Sequence, residues 1–170
     1  MSNVRRRKAR RFVNLPRGSF LNKNSHLIAL SESTAVAFGR IPFLSQSNEQ
    51  KVFSAIWALE SQVNNGGFLQ YFLSQDGETA AYAPSALNTI GAARCAAIAE
   101  RALNLAATNP LPTDYDQRRL LLDSLTEADE DALSEVDADF YKYPDNLTDL
   151  LFAYVCAHPA IFGVAPNADA

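Results

Sequence analysis

Apolar residues recur at helical intervals along most of the chain, beginning just after residue 47. The first such segment places its apolar residues on one helical face, at Val52, Ile56, Leu59 and Val63. Ser47 followed three residues later by Gln50 has the form of a capping box, so we predict that this helix begins there. Asn64-Asn65-Gly66-Gly67 is predicted to end it, because glycine readily adopts the left-handed conformation that follows many helices.

The same periodicity predicts a series of further helices. A short one follows the glycines at 68–72, and longer ones are predicted at 90–105, from 113 to about 125, from Thr126 onward and from 147 to about 158. No segment alternates apolar and polar residues over the length of a strand. The sequence therefore predicts an all-α protein, a compact bundle of five or six short helices.

The helix that follows Thr126 has two faces of opposite character. At about 100° per residue, one side collects the apolar residues Leu125, Ala132, Leu133, Val136 and Phe140. The other side collects the acids Glu127, Glu130, Asp131 and Glu135. Asp129 falls on the apolar side, but it lies three residues after Thr126, which is the position of a capping carboxylate.

The composition is that of one globular domain, with 170 residues of which 48% are hydrophobic and 20% are charged. The chain contains neither an apolar run long enough to span a membrane nor the apolar core of a signal peptide, so we expect a cytoplasmic protein. The two cysteines, Cys95 and Cys156, and the two histidines, His26 and His158, lack the spacing of metal ligands. We therefore expect no disulfide framework, no metal site and no cofactor.

Charge is distributed unevenly along the chain. Residues 1–31 carry eight basic side chains and no acid, whereas residues 32–170 carry all 19 acids against seven basic residues. Between residues 114 and 149, twelve acids stand against three basic residues, Arg118, Arg119 and Lys142. This asymmetry indicates an acidic folded body with a basic N-terminal arm.

The arm begins with six closely spaced cations, Arg5, Arg6, Arg7, Lys8, Arg10 and Arg11. Because like charges repel and few nearby residues are apolar, we expect residues 1–26 to be disordered, 27–165 to form a single helical domain and 166–170 to be a tail. Three roles for the arm stay open: a solvated tail, a tether to nucleic acid or another acidic surface, and a cover for the chain's own acidic face.

Catalysis has little support in the sequence. Cys95 lies among alanines without a neighbouring histidine, and His158 ends a helix, so we interpret both as structural residues. The chain has no glycine-rich phosphate loop and no nucleophile elbow. Carboxylates such as Asp114 and Asp116 are the only candidate acids or bases, so we expect a protein that is not an enzyme, with a carboxylate-based enzyme as a remote alternative.

One group of residues has the order and spacing of a known family's motifs. Its centre, which we call the motif corner, consists of Asn64, Asn65, Gly66, Gly67, Phe68, Gln70, Tyr71 and Phe72. It is accompanied by Trp57, Ile90-Gly91-Ala92, Phe140-Tyr141, Tyr143-Pro144-Asp145 and Leu147. Over roughly residues 45–162, the chain resembles a bacterial family of small helical proteins of unknown function that includes the nineteen-kilodalton DNA-mimic protein.

The resemblance implies an all-α fold and, for the DNA-mimic relative, an acidic surface that occupies the DNA-binding site of a helix-turn-helix transcription factor. The motif corner has two interpretations. Glycines at a helix end followed by aromatic residues fix a corner of a small bundle. Alternatively, the side-chain amides of Asn64, Asn65 and Gln70 form a corner that recognises a peptide or another ligand.

Acids four residues apart on a helix present negative charges at even intervals. The predicted phosphate-mimicking residues are the row Asp123, Glu127, Asp131 and Glu135, with Glu130 and Asp137 beside it. We expect them to bind the basic surface of a nucleic-acid-binding protein, and we expect the acidic body to bind neither nucleic acid nor a membrane.

Two alternatives account for the same acids. An immunity- or antitoxin-like inhibitor of a nuclease or another basic toxin would use the same electrostatics. An acidic face that only keeps the bundle solvated is the simpler one. The sequence also leaves open whether the chain forms a homodimer.

Overall fold

A computed structural model describes residues 23–32, 40–106 and 110–163. These residues form eight α-helices: α1 (Lys23–Glu32), α2 (Asn48–Leu73), α3 (Ala83–Thr89), α4 (Ala93–Leu105), α5 (Tyr115–Leu122), α6 (Glu127–Phe140), α7 (Leu147–Ala157) and α8 (Pro159–Phe162). Two 3₁₀ segments, Phe43–Ser45 and Gln75–Tyr82, flank α2 in the chain. The described residues contain no strand, so the all-α prediction is confirmed there; the short helices α1, α3 and α8 bring the count above the five or six expected.

α2 is the central helix of the bundle and contacts α3, α5, α6, α7 and both 3₁₀ segments. Its predicted apolar face is buried, at Val52, Ile56, Leu59 and Val63. The predicted capping box is present, because the Ser47 hydroxyl accepts a hydrogen bond from the Gln50 amide at 3.2 Å and the Gln50 side chain accepts one from the Ser47 amide at 3.0 Å. The helix is kinked at Gly66 and Gly67, so the segments predicted on either side of the glycines are two arms of one element.

The observed ends of α4 and α5 differ from the predicted ones by a few residues. α4 begins at Ala93, three residues later than predicted, because Gly91 has a φ of +84° and takes the chain out of the helical conformation. α5 begins after Asp114, whose carboxylate accepts a hydrogen bond from the Gln117 amide at 2.9 Å, and it ends at Leu122. The capping residue of α5 is therefore Asp114, one position after the predicted start.

Four residues have the structural roles predicted for them. Thr126 and Asp129 form a capping box at the start of α6. His158 ends α7, where its ring nitrogen Nδ1 lies 2.7 Å from the Tyr154 carbonyl oxygen. Cys95 is fully buried, and burial raises the pKa of its thiol to about 11.

α1 lies partly within the segment that we predicted to be disordered. Leu27 and Leu30 are buried, and the helix packs on α7. At its first residue, the Lys23 ammonium binds the Asp149 carboxylate at 2.9 Å. The prediction of disorder is therefore wrong for residues 23–26, because apolar contacts and an ion pair hold this helix on the body. Residues 1–22 of the predicted arm and the predicted tail at 166–170 lie outside the described residues.

No helix in the described part of the chain is both long enough and apolar enough to cross a membrane.

Candidate functional site

α6 turns one face toward the core and the opposite face toward solvent. It packs on α2 and α4, and its apolar residues Leu133, Val136 and Phe140 are buried as predicted. On the opposite side, four acids are exposed, Glu127, Glu130, Asp131 and Glu135. We call these four residues the outer face of α6.

The carboxylates of the outer face have no ion-pair or hydrogen-bond partner among the residues that the structure describes. The ion pairs and side-chain hydrogen bonds of this region go instead to Asp123, Asp129, Asp137 and Asp139. The negative charges of the outer face are therefore free to meet a cationic partner.

The basic side chains of this region are engaged elsewhere. Lys142 and Arg101 both bind the Asp139 carboxylate, at 2.8 and 2.9 Å, and these contacts hold the pKa of Asp139 below its usual range. Arg119 lies 3.8 Å from Asp123 on the exposed side of α5. The local excess of acids in the sequence thus becomes an excess of negative charge on the outer face of α6.

The four acids carry a mean charge per unit length comparable to that of a nucleic-acid strand. Residues four apart on an α-helix are separated by about 6 Å along the axis, so Glu127 and Glu135 are about 12 Å apart in that direction. Four charges over this length give about one charge per 4 Å, close to the one per about 3.4 Å on each strand of duplex DNA. The outer face therefore has the charge density of a short piece of one DNA strand.

Two of the six predicted phosphate-mimicking residues lie elsewhere. Asp123 does not extend the row, because the chain leaves the helical conformation after α5 and is extended at Thr126 before α6 begins. Asp137 is half-buried, and its carboxylate accepts a hydrogen bond from the Phe68 amide at 2.7 Å. The predicted arrangement is wrong for these two residues, and the row is limited to the outer face.

Asp137 explains why glycine occupies position 67 of the motif corner. Gly67 has a φ of +79°, and a Cβ atom there would overlap the Asp137 carboxylate. Phe68 begins the second arm of α2, so a carboxylate from α6 caps an amide that the kink leaves without a helical partner. Burial raises the pKa of Asp137, and this effect exceeds the opposite effect of the hydrogen bond from Phe68.

The remaining residues of the motif corner divide between the core and the surface. The aromatic residues are buried, namely Phe68, Tyr71 and Phe72. Asn64 donates a hydrogen bond to the Tyr143 hydroxyl at 2.6 Å, and the Tyr141 hydroxyl donates one to the Val63 carbonyl at 2.8 Å. The other two amide side chains of the corner, those of Asn65 and Gln70, belong to exposed residues. The corner therefore joins α2 to the end of α6, which supports its structural interpretation, and ligand recognition stays a prediction.

The Tyr143-Pro144-Asp145 element joins the end of α6 to the start of α4. The Asp145 carboxylate accepts hydrogen bonds from the amides of Arg94 and Cys95, both at 2.9 Å. These amides lie in the first turn of α4, whose N-cap is an alanine without a side-chain acceptor. Tyr143 has a φ of +46°, which is uncommon for a residue with a bulky side chain. Asp145 lies in the turn between α6 and α7, 51 and 50 residues from the two amides, so local sequence spacing gives no signal for this cap.

Arg118 is a second structural residue whose role leaves no signal in local sequence spacing. It is 1% exposed and donates hydrogen bonds of 2.7 to 3.0 Å to four backbone carbonyls, those of Phe72, Ser74, Pro112 and Thr113. Two of these carbonyls lie at the C-terminal end of α2, where they lack partners within the helix. Burial lowers the pKa of Arg118, and the charges of Glu78 and Asp114 act in the opposite direction.

The acids considered for catalysis lie at the start of α5. Asp114 caps this helix and Asp116 is exposed in its first turn. Within the three described ranges, no group of three or more His, Cys, Asp or Glu side chains is arranged to hold a metal ion.

Comparison with known proteins assigns the chain to a family. No curated protein and no solved structure matches the chain. The family described as DMP19-like protein matches residues 45–158, a span that includes the motif corner, the Tyr143-Pro144-Asp145 element and all of α6. The chain therefore belongs to the DMP19-like protein family.

Proposed function

We propose that this protein is a non-catalytic binding protein whose outer face of α6 replaces a nucleic-acid strand on the basic surface of a DNA-binding partner. The observation that supports the proposal is the set of four exposed carboxylates, which are unpaired within the described structure and have a mean charge per unit length close to that of one DNA strand. Membership of the DMP19-like family is consistent with it, since the resemblance to the DNA-mimic protein implies such a function. A helix-turn-helix transcription factor is the class of partner that we expect.

The chemistry of phosphate recognition applies equally to carboxylates. DNA-binding proteins hold phosphates through Lys and Arg side chains, backbone amides and helix N-termini, and each of these donors also binds a carboxylate. Because the contact joins exposed charges, we expect fast association that weakens as the salt concentration rises. Nucleic acid itself would be repelled by the same charges, so the acidic body would bind the partner and not the DNA.

Binding of this kind requires no catalytic group. Three carboxylates already cap helices: Asp114 caps α5, Asp137 caps the second arm of α2 and Asp145 caps α4. We therefore propose that the protein acts by occupying its partner's surface.

The test is capture of a partner by three forms of the full chain. The row variant carries Glu127→Gln, Asp131→Asn and Glu135→Gln. The off-row control makes the same change in net charge at exposed acids outside α6, with Glu32→Gln, Glu100→Gln and Asp116→Asn. Each immobilised protein is incubated with native bacterial lysate and eluted with a salt gradient, and the eluted proteins are identified by mass spectrometry.

We expect the wild-type chain and the off-row control to retain the same DNA-binding protein and the row variant to lose it. Equal retention by the row variant would exclude α6 as the binding face. Capture of a nuclease whose activity falls on binding would favour the inhibitor alternative, which uses the same face. If no capture is sensitive to salt, the acids only solvate the bundle.

A further inference from the structure

We propose that Tyr141 and Tyr143, which we call the tyrosine pair, form a binding site for the guanidinium group of an arginine side chain on a partner protein. The two residues follow directly on α6 and are 46% and 43% exposed. The identity of the partner rests on the proposed function, whereas the affinity of the site for arginine does not.

Hydrogen bonds to α2 hold both rings of the tyrosine pair in place. The Tyr141 hydroxyl donates to the Val63 carbonyl at 2.8 Å, and the Tyr143 hydroxyl accepts a hydrogen bond from the Asn64 side-chain amide at 2.6 Å. Val63 and Asn64 are consecutive, so both hydroxyls lie against the same turn of α2. Because the hydroxyl of each side chain is already bound, the pair offers a partner mainly its rings, in fixed positions that need little further ordering.

A carboxylate lies near each of the two tyrosines. Asp137 is one helical turn before Tyr141, whose backbone amide donates to the Asp137 carbonyl at 2.9 Å. Burial raises the pKa of Tyr141, and the charge of Asp137 adds to this effect. Glu60 is one turn before Asn64 on α2 and forms a side-chain hydrogen bond with Tyr143. A cation at the tyrosine pair would therefore be attracted both by the ring faces and by these carboxylates.

No cation among the described residues neutralises the two carboxylates. The ion pairs of this part of the chain involve neither Glu60 nor Asp137, and burial raises the pKa of both. Lys142 lies between the two tyrosines in sequence but binds the Asp139 carboxylate at 2.8 Å. A cation that a partner supplies would therefore meet negative charges that the described fold leaves unbalanced.

A third exposed tyrosine shows the contrasting arrangement. Tyr115 on α5 is 36% exposed, and the Arg118 guanidinium of the same chain lies 5.9 Å from the centre of its ring. No described cation lies in this way over Tyr141 or Tyr143. The cation site is thus already filled at Tyr115, and within the described structure it is open at the tyrosine pair.

Arginine is the cation that suits this site best. A guanidinium group is planar, so it can stack on an aromatic ring while its edge donates hydrogen bonds to a carboxylate, whereas the lysine ammonium is a compact and strongly hydrated charge. DNA-binding surfaces supply arginine, since it is one of their main phosphate ligands. At about 100° per residue, Tyr141 lies within about 40° of Glu127 around the helix axis, so one partner could contact both the outer face and the pair.

Two fluorophore-labelled peptides, hexa-arginine and hexa-lysine, serve as probes because they carry the same charge on different cationic groups. Their binding to the full chain is measured by anisotropy at low salt. A leucine variant carries Tyr141→Leu and Tyr143→Leu, and a phenylalanine variant carries Tyr141→Phe and Tyr143→Phe. Both variants lose the same two hydroxyls, so a difference between them isolates the aromatic rings. Tyr115→Leu is the control outside the pair, and the row variant tests the outer face.

We expect the wild-type chain to bind hexa-arginine about threefold more tightly than hexa-lysine, because stacking on the rings favours the guanidinium group. The leucine variant should bind both peptides alike, and the phenylalanine variant and Tyr115→Leu should keep the preference. The row variant should bind both peptides more weakly by a similar factor. If the leucine variant does not fold, the single substitutions Tyr141→Leu and Tyr141→Phe make the same comparison.

Equal binding of the two peptides by the wild-type chain would overturn the proposal, as would an arginine preference that is the same in the leucine and phenylalanine variants. Partner capture is measured separately with the row variant. An arginine preference that depends on the rings, in a chain that captures no DNA-binding protein, would support the site and contradict the proposed function.

Discussion

On α5 and α6, charged residues that face inward bind backbone groups of other segments, whereas charged residues that face outward are exposed to solvent. Arg118 and Arg119 are neighbours in sequence, yet Arg118 is buried on four carbonyls and Arg119 is exposed beside Asp123. Asp137 and Glu135 repeat the contrast on α6, because Asp137 caps the second arm of α2 and Glu135 has no partner among the described residues.

The contrast shows that the net charge of a segment is a poor guide to what its charges do. An inward charge satisfies backbone groups that no other side chain reaches, so its removal should lower the free energy of unfolding. An outward charge on a helix contributes little to stability and is free to bind. Substitutions that compare inward with outward residues therefore separate the fold from the function.

The largest expected effect comes from the pair of arginines on α5. Arg118→Ala should lower the free energy of unfolding by about 4 kcal/mol, because four buried carbonyls lose their donor. Arg119→Ala should lower it by less than about 1 kcal/mol, since its contact is an exposed ion pair. Urea denaturation at neutral pH measures both values.

Arg118→Lys keeps this test valid if the alanine variant does not fold. Lysine retains the charge but not the planar fork of donors, so we expect an intermediate loss of about 2 kcal/mol. Equal stabilities of the Arg118 and Arg119 variants would contradict the assignment of Arg118 as a structural residue.

The next largest effect concerns two glycines with a positive φ. Gly67→Ala should destabilise the protein by about 3 kcal/mol, because the added Cβ both opposes the positive φ and displaces the Asp137 carboxylate from the Phe68 amide. Gly91→Ala is the control for a positive φ alone, with φ +84° and no atom within 4 Å of the added Cβ, so only the backbone cost of about 1 to 2 kcal/mol applies. A larger loss is expected at Gly67 because of the Asp137 contact together with the ψ of −178°, a conformation that favours glycine, and identical midpoints would contradict both.

The smallest effect is a pH dependence at Glu60 on α2. Burial raises the pKa of Glu60 above its usual value, and a side-chain hydrogen bond with Tyr143 opposes this only in part. The folded protein therefore holds this proton more tightly than the unfolded chain does. The resulting stabilisation is complete below the unfolded-state pKa and is lost as the pH rises through the folded-state pKa. Glu60→Gln should therefore stabilise the protein by up to about 1 kcal/mol at pH 7 and by less near pH 4.

Denaturation of the Glu60→Gln variant at both pH values checks this sign. Glu100→Gln, at an exposed position of α4, controls for the general effect of removing one negative charge. A stabilisation that grows toward pH 4 would show that the charged form of Glu60 is favoured in the folded protein.

Features that depend on local spacing could be predicted from the sequence. The capping boxes at Ser47 and Thr126 were identified from residues three apart, and the buried side of α6 followed from its periodicity. The exposed acids of the outer face were found in the same way. Each of these features is determined within a few turns of one helix.

Features that depend on contacts between helices could not be predicted in this way. Asp137 lies 69 residues from the amide that it caps, and Arg118 lies 46 residues from the Phe72 carbonyl. Neither residue differs in type from its exposed neighbours, so only the packing of α5 and α6 on α2 distinguishes them. The extension of the row to Asp123 was wrong for a related reason, since periodicity alone does not show where one helix ends and the next begins.

The central claim is that the outward acids of α6 act in binding and not in folding. Its most direct test is competition between this protein and a labelled DNA duplex for the purified partner, with fluorescence anisotropy as the readout. The wild-type chain and the off-row control should displace the DNA, and the row variant should require at least about 100-fold more protein, because three charge-assisted contacts are lost. The free energy of unfolding of the row variant should remain within about 0.5 kcal/mol of the wild-type value. Displacement of the DNA by the row variant at wild-type concentrations would contradict the account.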